Sequence, residues 1–162
     1  MSIILIDTIG LWAIVFRDSK YHRFIIRELA GKRVSVLDIQ ILELIRIVYK
    51  SFSEGGRYFQ RGFSKIVEIS EFIKSRIYEI KGIKLNYIKT RPIDYINALK
   101  LIDSHKDLFI REGPKGTQWP EIIDAIIAYK WYELKCLLYT KDHNLIEFGK
   151  ANNLKYILIR ED

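Results

Sequence analysis

Cysteine is almost missing from this chain: Cys136 is the only one in 162 residues. No intramolecular disulfide can form, and a cysteine-based zinc site is excluded. Long apolar runs are missing too. None approaches the roughly 18 residues that a membrane span requires, so no membrane partner is expected. No basic stretch precedes the apolar run Ile3-Ile-Leu-Ile6, and that run is too short for a signal-peptide core. A cytoplasmic protein is therefore expected. Internal repeats, low-complexity tracts and domain-splitting linkers are absent as well. Gly55-Gly56 lacks the further glycines and the lysine of a phosphate loop, so nucleotide binding there is discounted.

What is present fits one globular unit. Composition is 49% hydrophobic and 29% charged, and the length matches a single domain over 1–162. The formal net charge is +7 and the pI about 9.4. Such a balance favours a polyanionic partner, most simply nucleic acid.

Strand and helix signals alternate along the chain. Residues 2–6 form a short strand, apolar from Ile3 on, the pattern of a strand buried on both faces. Thr8 to Gly10 reads as a turn and 11–30 as a helix. Residues 34–36 form a second strand, and Asp38 caps a helix to about 50. A helical region follows the loop at 53–57 and runs to about Ile80. Residues 83–88 alternate as a third strand. Pro92 opens a helix to about His105. Residues 112–117 are a loop, and Pro120 opens a helix to about Leu134. Residues 136–140 are a fourth strand, 143–152 a helix and 155–159 a fifth strand. This order predicts a three-layer α/β/α sandwich on a mostly parallel five-stranded sheet. The region at about 53–80 is its one helical, basic and aromatic insertion.

Four carboxylates stand where strands end or helices begin. Asp7 closes the first strand, and Asp142 follows the fourth. In one parallel sheet both emerge at the edge where open α/β folds bind ligands. Glu43 shares a helical stripe with Ile39 and Ile47, so it sets a carboxylate into an apolar line. The alternative is an exposed Glu43–Arg46 pair at i,i+3 spacing. Asp124 shares its face with the small Ala128. Helix capping and the helix dipole are the competing accounts of Asp7, Asp124 and Asp142. Converging carboxylates repel unless a cation sits between them. Hard oxygen ligands suit Mg²⁺ or Mn²⁺, ions that support phosphodiester hydrolysis.

The segments Ile4-Leu-Ile-Asp7-Thr8, Leu42-Glu43-Leu44, Asp124-Ala-Ile-Ile-Ala128 and Leu138-Tyr-Thr140-Lys-Asp142 occur in an order and spacing that resembles the PIN domain, the nuclease fold of VapC-type toxins. The resemblance spans nearly the whole chain. It implies a ribonuclease that uses Mg²⁺ or Mn²⁺, with Asp7, Glu43, Asp124 and Asp142 as metal-binding acids. Thr8 and Thr140 match hydroxyl positions that orient those acids. The resemblance further implies RNA as substrate, a homodimer, and an antitoxin that covers the acidic pocket. Two departures stand out: the longer and more basic region 53–80, and the lack of a second acid close behind Asp142. A non-catalytic binding domain, or a nuclease of RNA processing, is the alternative reading.

The stretch Gly55 to Lys65 interleaves cations with aromatics. Arg57, Arg61 and Lys65 can neutralise phosphates while Tyr58 or Phe59 stacks on bases. The competing account packs Tyr58, Phe59 and Phe63 beneath a helical arm with the cations solvated. Trp119, Trp131 and Tyr132 read as core or interface aromatics, Cys136 as a small buried residue, and His143 as exposed.

Overall fold

The computed structural model describes residues 3–53, 79–80 and 82–162. Its centre is a sheet in the order β3-β4-β2-β1-β7-β8. The strands are β1 (Ile4–Ile6), β2 (Arg33–Leu37), β3 (Glu79–Ile80), β4 (Ile83–Ile88), β7 (Leu137–Thr140) and β8 (Lys155–Leu158). Five of them are parallel, as expected. The two-residue β3 adds an antiparallel edge to β4.

Alternation within each strand feeds two cores. Ile6, Val36 and Tyr139 pack on one face with Leu11, Ile14, Phe24 and Ile25. Those partners come from α1 (Thr8–Val15) and α2 (His22–Leu29), and Leu44 of α3 (Ile39–Ser53) joins them. Leu5, Leu37 and Leu138 pack on the other face. They meet Ala98 and Ile102 of α4 (Pro92–Ser104), Phe109 of α5 (Lys106–Phe109), Ile127 and Trp131 of α6 (Ile122–Leu134), and Phe148 of α7 (His143–Ala151). The period of two places successive residues on opposite faces, which makes the three layers.

Two elements depart from expectation. The helix expected over 11–30 is two helices. Asp7 caps the first, so helix starts at Thr8 where a turn was expected, and residues 16–21 turn the chain. The expected loop at 112–117 is the tip of an antiparallel hairpin, β5 (Ile110–Glu112) with β6 (Gln118–Pro120). Pro120 ends β6 instead of opening α6. Glu121 takes the N-cap position of α6 and ties back through its N–H to Phe109 O at 2.8 Å. A proline suits this strand end because it has no ladder hydrogen to donate.

Gln40 fastens the carboxyl ends of β1 and β2 to each other. It is fully buried, accepts from the Leu37 N–H at 2.7 Å and donates to Ile6 O at 3.0 Å. A second clamp joins α4 to α6. Lys130, 3% exposed, sits 2.8 Å from both Asp94 and Glu133, and Arg91 lies 2.9 Å from the other side of this network at Asp94. Burial pushes the Asp94 carboxyl up, but Arg91 and Lys130 overcome it and hold the group well below the usual carboxylate range.

Candidate metal and nucleic-acid site

At the carboxyl edge of the sheet lies a pocket of about 490 Å³. Asp7, Glu43, Asp124 and Asp142 all line it, carried by β1, α3, α6 and the β7–α7 junction. The register Ile6↔Tyr139 puts the ends of β1 and β7 side by side, and Asp7 N–H donates to Tyr139 O at 3.1 Å. Asp7 and Asp142, 135 positions apart in sequence, thereby line one site.

Each acid is held differently. Asp7 is 2% exposed and caps α1, accepting from the Gly10 N–H at 2.7 Å and from the Thr140 hydroxyl at 2.5 Å. Gly10 has no room for a side chain, since a Cβ there would run into Ile6. Thr140 in turn accepts from the Asp142 N–H at 3.0 Å. Asp142 caps α7 by accepting from the Leu145 N–H at 2.9 Å. Glu43 is half-buried and accepts a short hydrogen bond from the Thr8 hydroxyl. Asp124 stands in the first turn of α6, beside the buried Ala128. The capping accounts of Asp7 and Asp142 and the placement in the pocket hold together, because capping uses one lone pair of a carboxylate that has several.

Burial, with the charge of neighbouring acids, raises three of these groups. Burial pushes Asp124 up to about 8, and the charges of Asp142, Glu43, Glu121 and Asp7 add to it. Burial lifts Asp7 to about 6 against the bonds from Thr140 and Gly10, with Asp142 adding repulsion. Glu43 is also raised, by burial first, while Thr8 and the nearby Arg46 oppose the shift. Among the described residues, none of these four acids is ion-paired to a lysine or arginine.

The donor set is hard oxygen throughout, which suits Mg²⁺ or Mn²⁺. Among the described residues, however, no three acidic, imidazole or thiol groups are gathered tightly enough to hold one ion as they stand. The acids share a pocket and feel one another's charge, but they have not closed on a common point.

Beyond these acids the pocket wall carries a fifth carboxylate, Glu121, and a set of cations and aromatics that sequence reasoning did not place there. Lys20, Tyr21, Arg46, Arg111 and Trp12 line it. Arg111 is presented by the hairpin and pairs with Glu121 at 2.8 Å. Lys141 donates a short hydrogen bond to the Tyr21 hydroxyl, which with Lys20 lowers the phenol below its ordinary value. No periodicity or spacing links positions 20, 21 and 141, and only the fold unites them. Arg57, Arg61 and Lys65 lie outside the described residues, as do Tyr58, Phe59 and the insertion to residue 78. His143 is exposed, and Trp131 and Cys136 are buried, as expected. Trp119 on the hairpin is 62% exposed and Tyr132 on α6 is 44% exposed, so neither is a core residue.

No family model matches the chain, and no curated protein matches it in sequence. Solved structures match over nearly its full length. PAE2754 from Pyrobaculum aerophilum shares 16% identity over 98% of this chain and 91% of that one, with a TM-score of 0.60. VapBC2 from Rickettsia felis, bound to a DNA fragment from their promoter, shares 18% over 98% and 99%, with a TM-score of 0.55. DNA-bound VapBC from Salmonella typhimurium shares 16% over 99% and 100%, also at 0.55. At such identities the likeness is one of fold.

Proposed function

This chain has the PIN fold seen in VapBC complexes, and on that premise we propose that it is a metal-dependent endoribonuclease that hydrolyses RNA phosphodiester bonds. One observation carries the reading. Asp7, Glu43, Asp124 and Asp142 come from four distant segments and line one pocket, where burial, with neighbouring acid charge, raises Asp7, Glu43 and Asp124. Buried like charges are costly, and a divalent ion between them removes the cost.

Asp7, Glu43, Asp124 and Asp142 would hold Mg²⁺ or Mn²⁺ directly or through water. When bound, such an ion stabilises phosphate charge and activates water near neutral pH. The chain's own residues prepare the place. Thr140 fixes one oxygen of Asp7 and, through the Asp142 N–H, the start of α7. Thr8 steadies Glu43 across from α1. Leu145 N–H occupies a single oxygen of Asp142 and leaves the carboxylate able to ligate. Lys20, Arg46 and Arg111 at the pocket wall attract an anionic strand, in keeping with the net charge of +7.

The further reading is the toxin of a toxin–antitoxin pair, with an antitoxin covering the pocket and a second copy of the chain docked on α4. Ile93, Ile96 and Leu99 form an exposed apolar stripe there, at 47%, 49% and 55%. A cytoplasmic setting belongs to the same proposal; no helix among the described residues is long and apolar enough to cross a membrane.

A non-catalytic RNA- or protein-binding domain is the second reading, and it is favoured by the spread of the acids in the structure. An RNA cleavage assay separates the two. The wild type is expected to cut single-stranded RNA with Mn²⁺, to stop in EDTA, and to lose cutting as Asp7→Asn while remaining folded. Cleavage that survives both EDTA and Asp7→Asn refutes the metal site. RNA retained without cleavage under any divalent ion establishes the binder.

A further inference from the structure

Lys141 is a half-buried cation that follows the buried Thr140. Among the described residues no carboxylate lies within ion-pair distance of it. Its ammonium donates to the Tyr21 hydroxyl and lies 4.5 Å from the centre of the Tyr21 ring. Lys20 lies over the same ring, its ammonium 5.2 Å from the ring centre. Two ammonium groups thus flank one tyrosine. They repel, and the half-burial of Lys141 weakens its hydration. The other buried lysine is treated differently: Lys130 has carboxylates on two sides. The convergence at Tyr21 therefore calls for an anion.

The position of the pair says which anion. Lys141 stands between Thr140 and Asp142, and Lys20 and Tyr21 line the same pocket as the four acids. Among the described residues Lys20 is ion-paired with Glu161 alone, and both side chains are well exposed, at 60% and 58%. Such a surface pair is worth little and gives way to a better-placed anion. We propose that Lys141, Tyr21 and Lys20 form a phosphate subsite of the pocket. It takes a phosphodiester of the RNA strand adjoining the one that faces Asp7, Glu43, Asp124 and Asp142. Lys141 and Lys20 supply the charge, and the Tyr21 hydroxyl donates its hydrogen to the phosphate oxygen while accepting from Lys141. This rests on the ribonuclease reading for the identity of the strand, but its test needs no catalysis.

The test is binding of a fluorescein-labelled single-stranded RNA oligomer by anisotropy, in EDTA, across a KCl series. Each phosphate neutralised on a single strand contributes about 0.7 to the slope of log K against log salt. Lys141→Met is expected to lower that slope by about 0.7 and to weaken binding about five- to tenfold at low salt. Lys141→Arg is expected to restore most of both. Lys106→Met removes a solvent-exposed lysine paired with Asp103, and is expected to change neither. Mn²⁺ affinity of Lys141→Met, measured by calorimetry, is expected within about twofold of wild type, which a general loss of site structure would not allow. An unchanged slope in a folded Lys141→Met overturns the subsite, as does an equal loss in Lys106→Met or no RNA binding by wild type. If the slope falls as expected while the wild type never cuts RNA with Mn²⁺, the subsite stands and the ribonuclease reading falls.

Discussion

Replacing Asp7 by asparagine removes one charge from the floor of the pocket and keeps the shape of the side chain. The consequence for stability follows from burial. The wild-type carboxyl is pushed from its ordinary value of 3.8 to about 6. The folded chain therefore holds this proton more tightly than the unfolded chain does. The stability that the proton confers is complete below about pH 4 and is lost as pH rises through about 6. At about 1.4 kcal/mol per pH unit, that loss is ~3 kcal/mol. Asparagine has nothing to titrate. Its carbonyl oxygen can still accept from the Gly10 N–H, and its amide can donate to Thr140 Oγ1, which already accepts from Asp142 N–H and has a second lone pair. Exchanging charge-assisted bonds for neutral ones gives back ~1 kcal/mol or a little more. Without divalent ions, Asp7→Asn is then expected to be ~1–2 kcal/mol more stable than wild type at pH 8, and equal or slightly weaker at pH 4. Urea titrations at pH 4, 6 and 8 in EDTA measure this directly. Millimolar Mn²⁺ is expected to stabilise the wild type and leave the variant unchanged. If the variant is the less stable protein at pH 8, and follows the wild-type pH slope, Asp7 ionises comfortably where it lies and is a helix cap alone.

Other perturbations test the frame around the site. Lys130→Met leaves the buried Asp94 with Arg91 only, and is expected to cost about 3 kcal/mol in urea unfolding, the low end for a broken buried pair. A loss below ~1 kcal/mol would mean that Arg91 alone suffices. Gly149→Ala drives a methyl group into the Trp131 ring, and about 3 kcal/mol of destabilisation is expected, the upper range for overpacking. Retention of full stability would show that Trp131 has room to shift. Leu99→Glu puts a charge into the exposed stripe of α4. Light scattering is expected to report a dimer for wild type and a monomer for the variant, and an unaltered dimer would move the interface elsewhere.

Much of the fold is legible because its strands show as short apolar or alternating segments between turn residues. Residues 34–36, 83–88 and 155–159 fall on β2, β4 and β8 to within about a residue at each end. What escapes reading has a physical cause in each case. The break between α1 and α2 contains neither glycine nor proline, so residues 16–21 look as helical as their flanks. The hairpin strands β5 and β6 are three residues long, too short for alternation to register. The four acids could be picked out one by one because each interrupts an apolar pattern. Their closeness depends on strand register, and the cations opposite them depend on which turn faces which strand. Gln40, which ties β1 to β2, looks in sequence like any polar position on a helix.

The pairing of β1 with β7 also has a consequence in time. A ribosome delivers Asp7 and Glu43 early, but Asp124 and Asp142 come from the last third of the chain. Asp7 meets its hydroxyl partner only when Thr140 arrives on β7 and docks beside β1. Until then the proposed site is half a set of ligands on an unfinished sheet edge. On the ribonuclease reading proposed above, this topology keeps the site incomplete through most of the chain's synthesis.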